Sequence, residues 1–126
     1  MAINPQQTFV HLSSDGIATA VPGGDAFWSL PEADMAAFGQ GWLFAEIEFD
    51  SDWRSWEMHP HGDELVYLLA GAVDFHLQQP HGLDIVELRD RGAVLVPRGV
   101  WHTAKTRLPS RMLFLTRGEG TQNRPV

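Results

Sequence analysis

Glu57-Met58-His59-Pro60-His61-Gly62-Asp63-Glu64-Leu65-Val66-Tyr67-Leu68-Leu69-Ala70-Gly71 is the stretch on which the fold turns. It reads as two β segments joined by a polar turn. Alternate residues of a strand point to one side, so Trp53, Ser55, Glu57 and His59 share a face before Pro60. On the following strand Glu64, Val66 and Leu68 share one face, and Leu65, Tyr67 and Leu69 the other. Pro60, Gly62 and Asp63 are turn formers, so the two strands are expected to form a hairpin that makes His59 and Glu64 neighbours.

Short apolar stretches rich in β-branched and aromatic residues, punctuated by Gly and Pro, continue outward in both directions. That pattern belongs to an all-β sandwich or barrel, not to alternating βαβ units. Upstream, Thr8–Leu12, Ile17–Val21, Trp42–Phe49 and Trp53–His59 read as strands. Downstream, Glu64–Leu69, Ala72–Leu77, Asp84–Leu88, Ala93–Val96, Val100–Lys105 and Arg111–Thr116 follow, with a turn over residues 78–83. From Trp42 onward that makes about eight strands with tight connections, the count of a double-sheet jelly roll. Between Leu30 and Phe38 a helical turn starting at Pro31 competes with a loop that packs Phe27, Trp28 and Phe38 over a barrel edge, and the loop is slightly favoured. The tail over residues 118–126 is polar and is expected to lie along the surface.

The chain has 126 residues, enough for one domain with a core of its own. We read it as a single barrel domain: residues 1–40 as N-terminal strands and loop, 41–117 as barrel, 118–126 as tail. It contains no cysteine, which removes disulfides, thiolate metal sites and cysteine nucleophiles. A formal net charge of −7 without a basic cluster argues against nucleic acid as a partner. No apolar run reaches membrane-spanning length, and residues 1–16 lack the basic and apolar blocks of a signal peptide. No membrane partner and a cytoplasmic location are therefore the expectations.

A third β segment brings His102 towards the same interior point as His59 and Glu64 if the barrel closes. Two imidazoles and a carboxylate suit a divalent transition metal such as Fe, Mn, Ni or Zn. A small-molecule ligand would then occupy the open positions. Glu57 and His61 compete for a fourth ligand position. Asp63 is most simply a turn residue, and Trp53 shares the face of His59 and is a candidate pocket wall. Arg98, just before His102, is either a solvated loop charge or a contact for an anionic substrate. His76 is expected to face solvent, His81 to sit in a turn, and His11 has no evident partner.

Residues 57–71 resemble the first motif of the cupin superfamily, which runs His, one residue, His, three or four residues, Glu, six residues, Gly. Gly92-Ala93-Val94-Leu95-Val96-Pro97-Arg98-Gly99-Val100-Trp101-His102 is similar to the second motif, with Pro-x-Gly, two residues, then His. Only Gly62 and Asp63 separate His61 from Glu64, whereas His59 as the second His restores a gap of four and puts Glu57 at the first His position. We favour that register. Gly92 lies one residue close to Pro97, and Thr106 stands where the family usually has Asn. The resemblance implies a double-stranded β-helix, a metal held by His59, Glu64, His102 and Glu57, and a homodimer. The apolar edge of the Trp42–Phe49 strand is the candidate interface. It also implies either a dioxygenase- or isomerase-type enzyme acting on a small oxygenated molecule, or a metal-free barrel that binds or senses a small ligand.

Overall fold

The computed structural model describes residues 1–126. Nine strands and two short helices follow in the order β1 (Thr8–Leu12), β2 (Ala18–Pro22), α1 (Asp25–Trp28), α2 (Glu32–Gly39), β3 (Trp42–Phe49), β4 (Ser55–Met58), β5 (Glu64–Gln79), β6 (Gly82–Leu88), β7 (Ala93–Val96), β8 (Trp101–Thr116) and β9 (Gln122–Pro125). All strand pairs are antiparallel. The architecture is an all-β jelly roll. No helix is long and apolar enough to cross a membrane.

Two long strands tie the two layers together. The first half of β5 pairs with β7 and with the second half of β8, which in turn pairs with β3, β1 and β2 beyond it. The second half of β5 pairs with β6 and with the first half of β8, which continues to β4 and β9. Both strands therefore turn a corner and contribute to both layers, and the register slips between Leu68 and Val73 mark where. Gly71 sits in that corner at φ 98°, a conformation open mainly to glycine. A Cβ there would lie 2.5 Å from the Pro109 carbonyl oxygen. The Ser110 hydroxyl seals the bend, donating to the Leu108 carbonyl at 2.6 Å and accepting from the Ala72 N–H at 3.1 Å.

The core lies between the layers. Val66, Leu68, Val73, Phe75, Leu77, Val94, Val96, Ala104 and Met112 are fully or almost fully buried there. A second cluster forms where Phe27, with Met35 and Phe38 against it, closes over Phe9, Val21 and Ala45. Pro31 leads into α2, and Glu32 and Asp34 in its first turn complement the helix dipole.

Several expectations are corrected. Residues 64–69 and 72–77 belong to one strand, as do 100–105 and 111–116, because bulges bend the chain without ending the pairing. β4 and β5 do not form a hairpin: β4 pairs only with β8 and β9. Residues 32–39 are helical, where the loop was preferred. The β3 strand pairs with β8 along its length and with β1 over Trp42–Phe44, so the first part of the proposed interface is not a free edge. The polar tail supplies β9, registered against β4 from Ser55↔Pro125 to Met58↔Gln122. The Arg124 guanidinium lies 4.4 Å from the Trp101 ring centre and 5.5 Å from that of Trp56, which fastens this strand to the barrel.

Candidate metal centre

His102 enters on β8, fully buried, with its ring stacked on Phe75 at 6.1 Å and edge-on to Trp53 at 6.2 Å. Glu57 is its register partner on β4. His59 follows β4 directly, and Glu64 opens β5 in the opposite layer, opposite Val96 and Thr116. The missing hairpin is replaced by tertiary ties. The Gly99 N–H donates to the His59 carbonyl at 2.9 Å, and the Arg98 N–H donates to Asp63 Oδ1 at 2.9 Å. The Pro97–Gly99 loop thus clamps the turn over residues 60–63, and Asp63 serves that clamp.

The four side chains converge. His59 Nε2 lies 3.4 Å from Glu64 Oε2 and 3.7 Å from Glu57 Oε2, and His102 Nε2 lies 3.3 Å from Glu64 Oε1. Ligand atoms of Glu57, His59 and His102 all fall within 4.8 Å of one another. His61 stays outside: it is exposed and lies against Gly120.

The outward ring nitrogens assign the tautomers. His102 Nδ1–H donates to the Val100 carbonyl at 3.1 Å. The Thr121 hydroxyl gives its hydrogen to the Gly118 carbonyl at 2.7 Å, so its oxygen accepts from His59 Nδ1–H at 2.8 Å. Both imidazoles therefore turn a bare Nε2 lone pair inward. The Thr116 hydroxyl donates to Glu64 Oε2 at 2.5 Å. His59 Nε2, Glu64 Oε1 and His102 Nε2 are buried and have no hydrogen-bond partner. Three acceptors facing one another require a cation or protons between them. The donor set fits a divalent transition metal.

The electrostatics agree. Burial would raise the Glu64 carboxyl, but the imidazoles of His102 and His59 beside it outweigh burial and hold it at about 2. Burial, reinforced by the Glu64 charge, pushes Glu57 above the ordinary carboxylate range. Burial would lower His102, but the Glu64 carboxylate 3.3 Å away raises it.

The cluster borders a cavity of about 620 Å³. Glu57, His59, Glu64, Thr116 and Thr121 contribute at the cluster, Trp53 walls it, and Phe27, Trp28, Met35 and Phe38 of the N-terminal segment close it from the far side. Sequence reasoning placed Phe27, Trp28 and Phe38 over a barrel edge but not on a cavity, and missed Met35, the orienting threonines Thr116 and Thr121, and Arg54, which lines the cavity where Arg98 does not. Only Arg54's place beside Trp53 could have flagged it. The remaining histidines lie elsewhere. His81 pairs with Asp84 at 2.9 Å on the surface, and His11 contacts the Gln40 carbonyl beside Phe38. His76 is half-buried with a shielded Nε2, contrary to the solvent-facing expectation.

No family model and no curated protein matches the sequence. Solved structures do match the fold. An oxalate oxidase structure superposes with TM-score 0.54 over 64% of this chain and 44% of its own, at 16% identity. A hydroquinone 1,2-dioxygenase from Sphingomonas sp. TTNP3, with 4-hydroxybenzoate bound, gives 0.50 over 61% and 60% at 18% identity. A cupin superfamily protein from Desulfitobacterium hafniense DCB-2 gives 0.51 over 60% and 65% at 19% identity. The chain spans less than two thirds of each of these three chains. With two bent strands shared between facing layers and these neighbours, the chain has the cupin fold.

Proposed function

We propose that this protein is a metal-dependent enzyme of dioxygenase or isomerase type acting on a small oxygenated organic molecule. His59, Glu64, His102 and Glu57 would hold one divalent transition metal (Fe, Mn, Ni or Zn). The observation that carries the reading is the convergence of His59 Nε2, Glu64 Oε1 and His102 Nε2, all buried and unpartnered. When bound, such a metal supplies Lewis acidity or a site for O2 activation. The protein's own part is positioning. Val100 and Thr121 fix the imidazoles, Thr116 fixes Glu64, and Phe27, Met35 and Phe38 give the reacting molecule an apolar wall. Glu57, half-exposed to the cavity with a raised carboxyl pKa, is suited to exchange a proton with a bound molecule if it does not ligate. The oxidase and dioxygenase among the structural neighbours support this class of chemistry.

A second reading has an observation of its own. The three buried acceptors can be bridged by protons on the imidazoles instead of a metal, which would leave a metal-free binding or sensing barrel. Elemental analysis of the purified protein decides. A stoichiometric transition metal lost in His102→Ala supports the enzyme; metal-free protein that still binds a ligand supports the module.

The reading takes residues 1–126 as one domain and keeps the homodimer. The face we assign to the dimer is the outer one carrying Leu65 and Leu95, exposed register partners on β5 and β7. Light scattering that returns a monomer would remove that part.

A further inference from the structure

Among the residues lining the cavity, Arg54 is the only lysine or arginine. Arg54 is exposed to solvent as well as to the cavity, and its guanidinium makes no ion pair and no hydrogen bond. The chain bends at Arg54 just before β4 begins, which frees this residue from strand alternation. Ser55 and Asn123 continue the polar wall beside it, and Phe49, Trp53 and Phe114 form an aromatic wall.

The charges add to a specific demand. Two carboxylates, Glu57 and Glu64, balance a divalent metal, and Arg54 then leaves one positive charge over. A chain of net charge −7 repels anions in general, so an acid that enters this cavity needs a local cation.

We propose that Arg54 makes the cavity a receptor for a small monocarboxylic acid with a flat apolar body. The carboxylate meets the guanidinium in a charge-assisted pair, and the body lies against Phe49 and Trp53. The proposal deepens the metal-enzyme reading and rests on it for the charge balance.

The test uses benzoate and benzamide, two probes of nearly the same shape that differ in charge. Binding to the full-length metal-loaded protein is followed by tryptophan fluorescence or calorimetry. Wild type is expected to prefer benzoate by at least about tenfold, the scale of one charge-assisted hydrogen bond. Arg54→Gln is expected to abolish the preference and leave benzamide affinity unchanged, and Arg54→Lys to keep part of it. A benzoate preference that survives in Arg54→Gln, or no preference and no binding in wild type, overturns the proposal. Metal content measured on the same samples reports separately on the metal reading. Metal-loaded protein without discrimination removes the carboxylate site alone, and metal-free protein that discriminates through Arg54 removes the metal alone.

Discussion

Nε2 of His102 lies 3.3 Å from Oε1 of Glu64, and neither atom has a hydrogen-bond partner. Two buried acceptors at that separation repel unless something positive lies between them. Purified protein is therefore expected to carry about one divalent transition ion per chain. Glu64→Gln and His102→Ala should each lower occupancy by at least about tenfold under matched loading, with the far-ultraviolet circular dichroism unchanged. Mass-spectrometric elemental analysis provides the measurement, and full occupancy in both variants would remove the site.

Thr121 does not touch the convergence point, yet its oxygen receives the Nδ1 proton of His59. Replacing it with valine keeps the shape and removes the acceptor. Zinc affinity measured against a chromophoric chelator is expected to fall about 10–100-fold in Thr121→Val, the usual scale for losing a ligand-orienting hydrogen bond. Equal affinity would show that the imidazole needs no such guide.

Much of the architecture was readable locally. β3 and β7 fall where alternation puts them; the motif spacing favoured Glu57 over His61, and Glu57 lies with His59 and His102 while His61 is exposed. The failures are long-range. Gly71 and Pro109 look like chain breakers, but they sit at corners where pairing continues into the second layer. Nothing near residues 60–63 shows that their strands belong to different layers, since that is fixed by the pairing of β4 with β8 and β9. Thr121 and Arg54 are ordinary residue types whose roles come only from what the fold sets beside them.

The corner itself can be probed. Gly71→Ala forces a side chain into a left-handed backbone conformation and against the Pro109 carbonyl. A loss of at least about 2 kcal/mol in urea unfolding is expected. A loss below about 0.5 kcal/mol, typical of a tolerated surface change, would mean that the bend relaxes freely.

Asp74, on the outer side of β5, is paired with Arg89 at 2.9 Å and Arg107 at 2.7 Å. Burial alone would raise its carboxyl, but hydrogen bonds from the two arginines outweigh it and hold it below the usual range. A carboxyl lowered by folding stabilises fully above its unfolded value, near 3.9, and loses that contribution as pH falls through the folded value. Asp74→Asn is expected to cost about 1–2 kcal/mol at pH 7, discounted because both arginines are partly exposed. The gap from wild type should persist down to about pH 5 and narrow below about pH 4. Denaturant melts across that range check it, and a gap that widened in acid would reverse the assignment.

The hydrogen bond between His59 and Thr121 joins residues 62 positions apart. During synthesis, His59 leaves the ribosome long before its orienting partner exists. The earlier strands can begin to pair, but the first imidazole stays free to rotate until the chain has been made through Thr121.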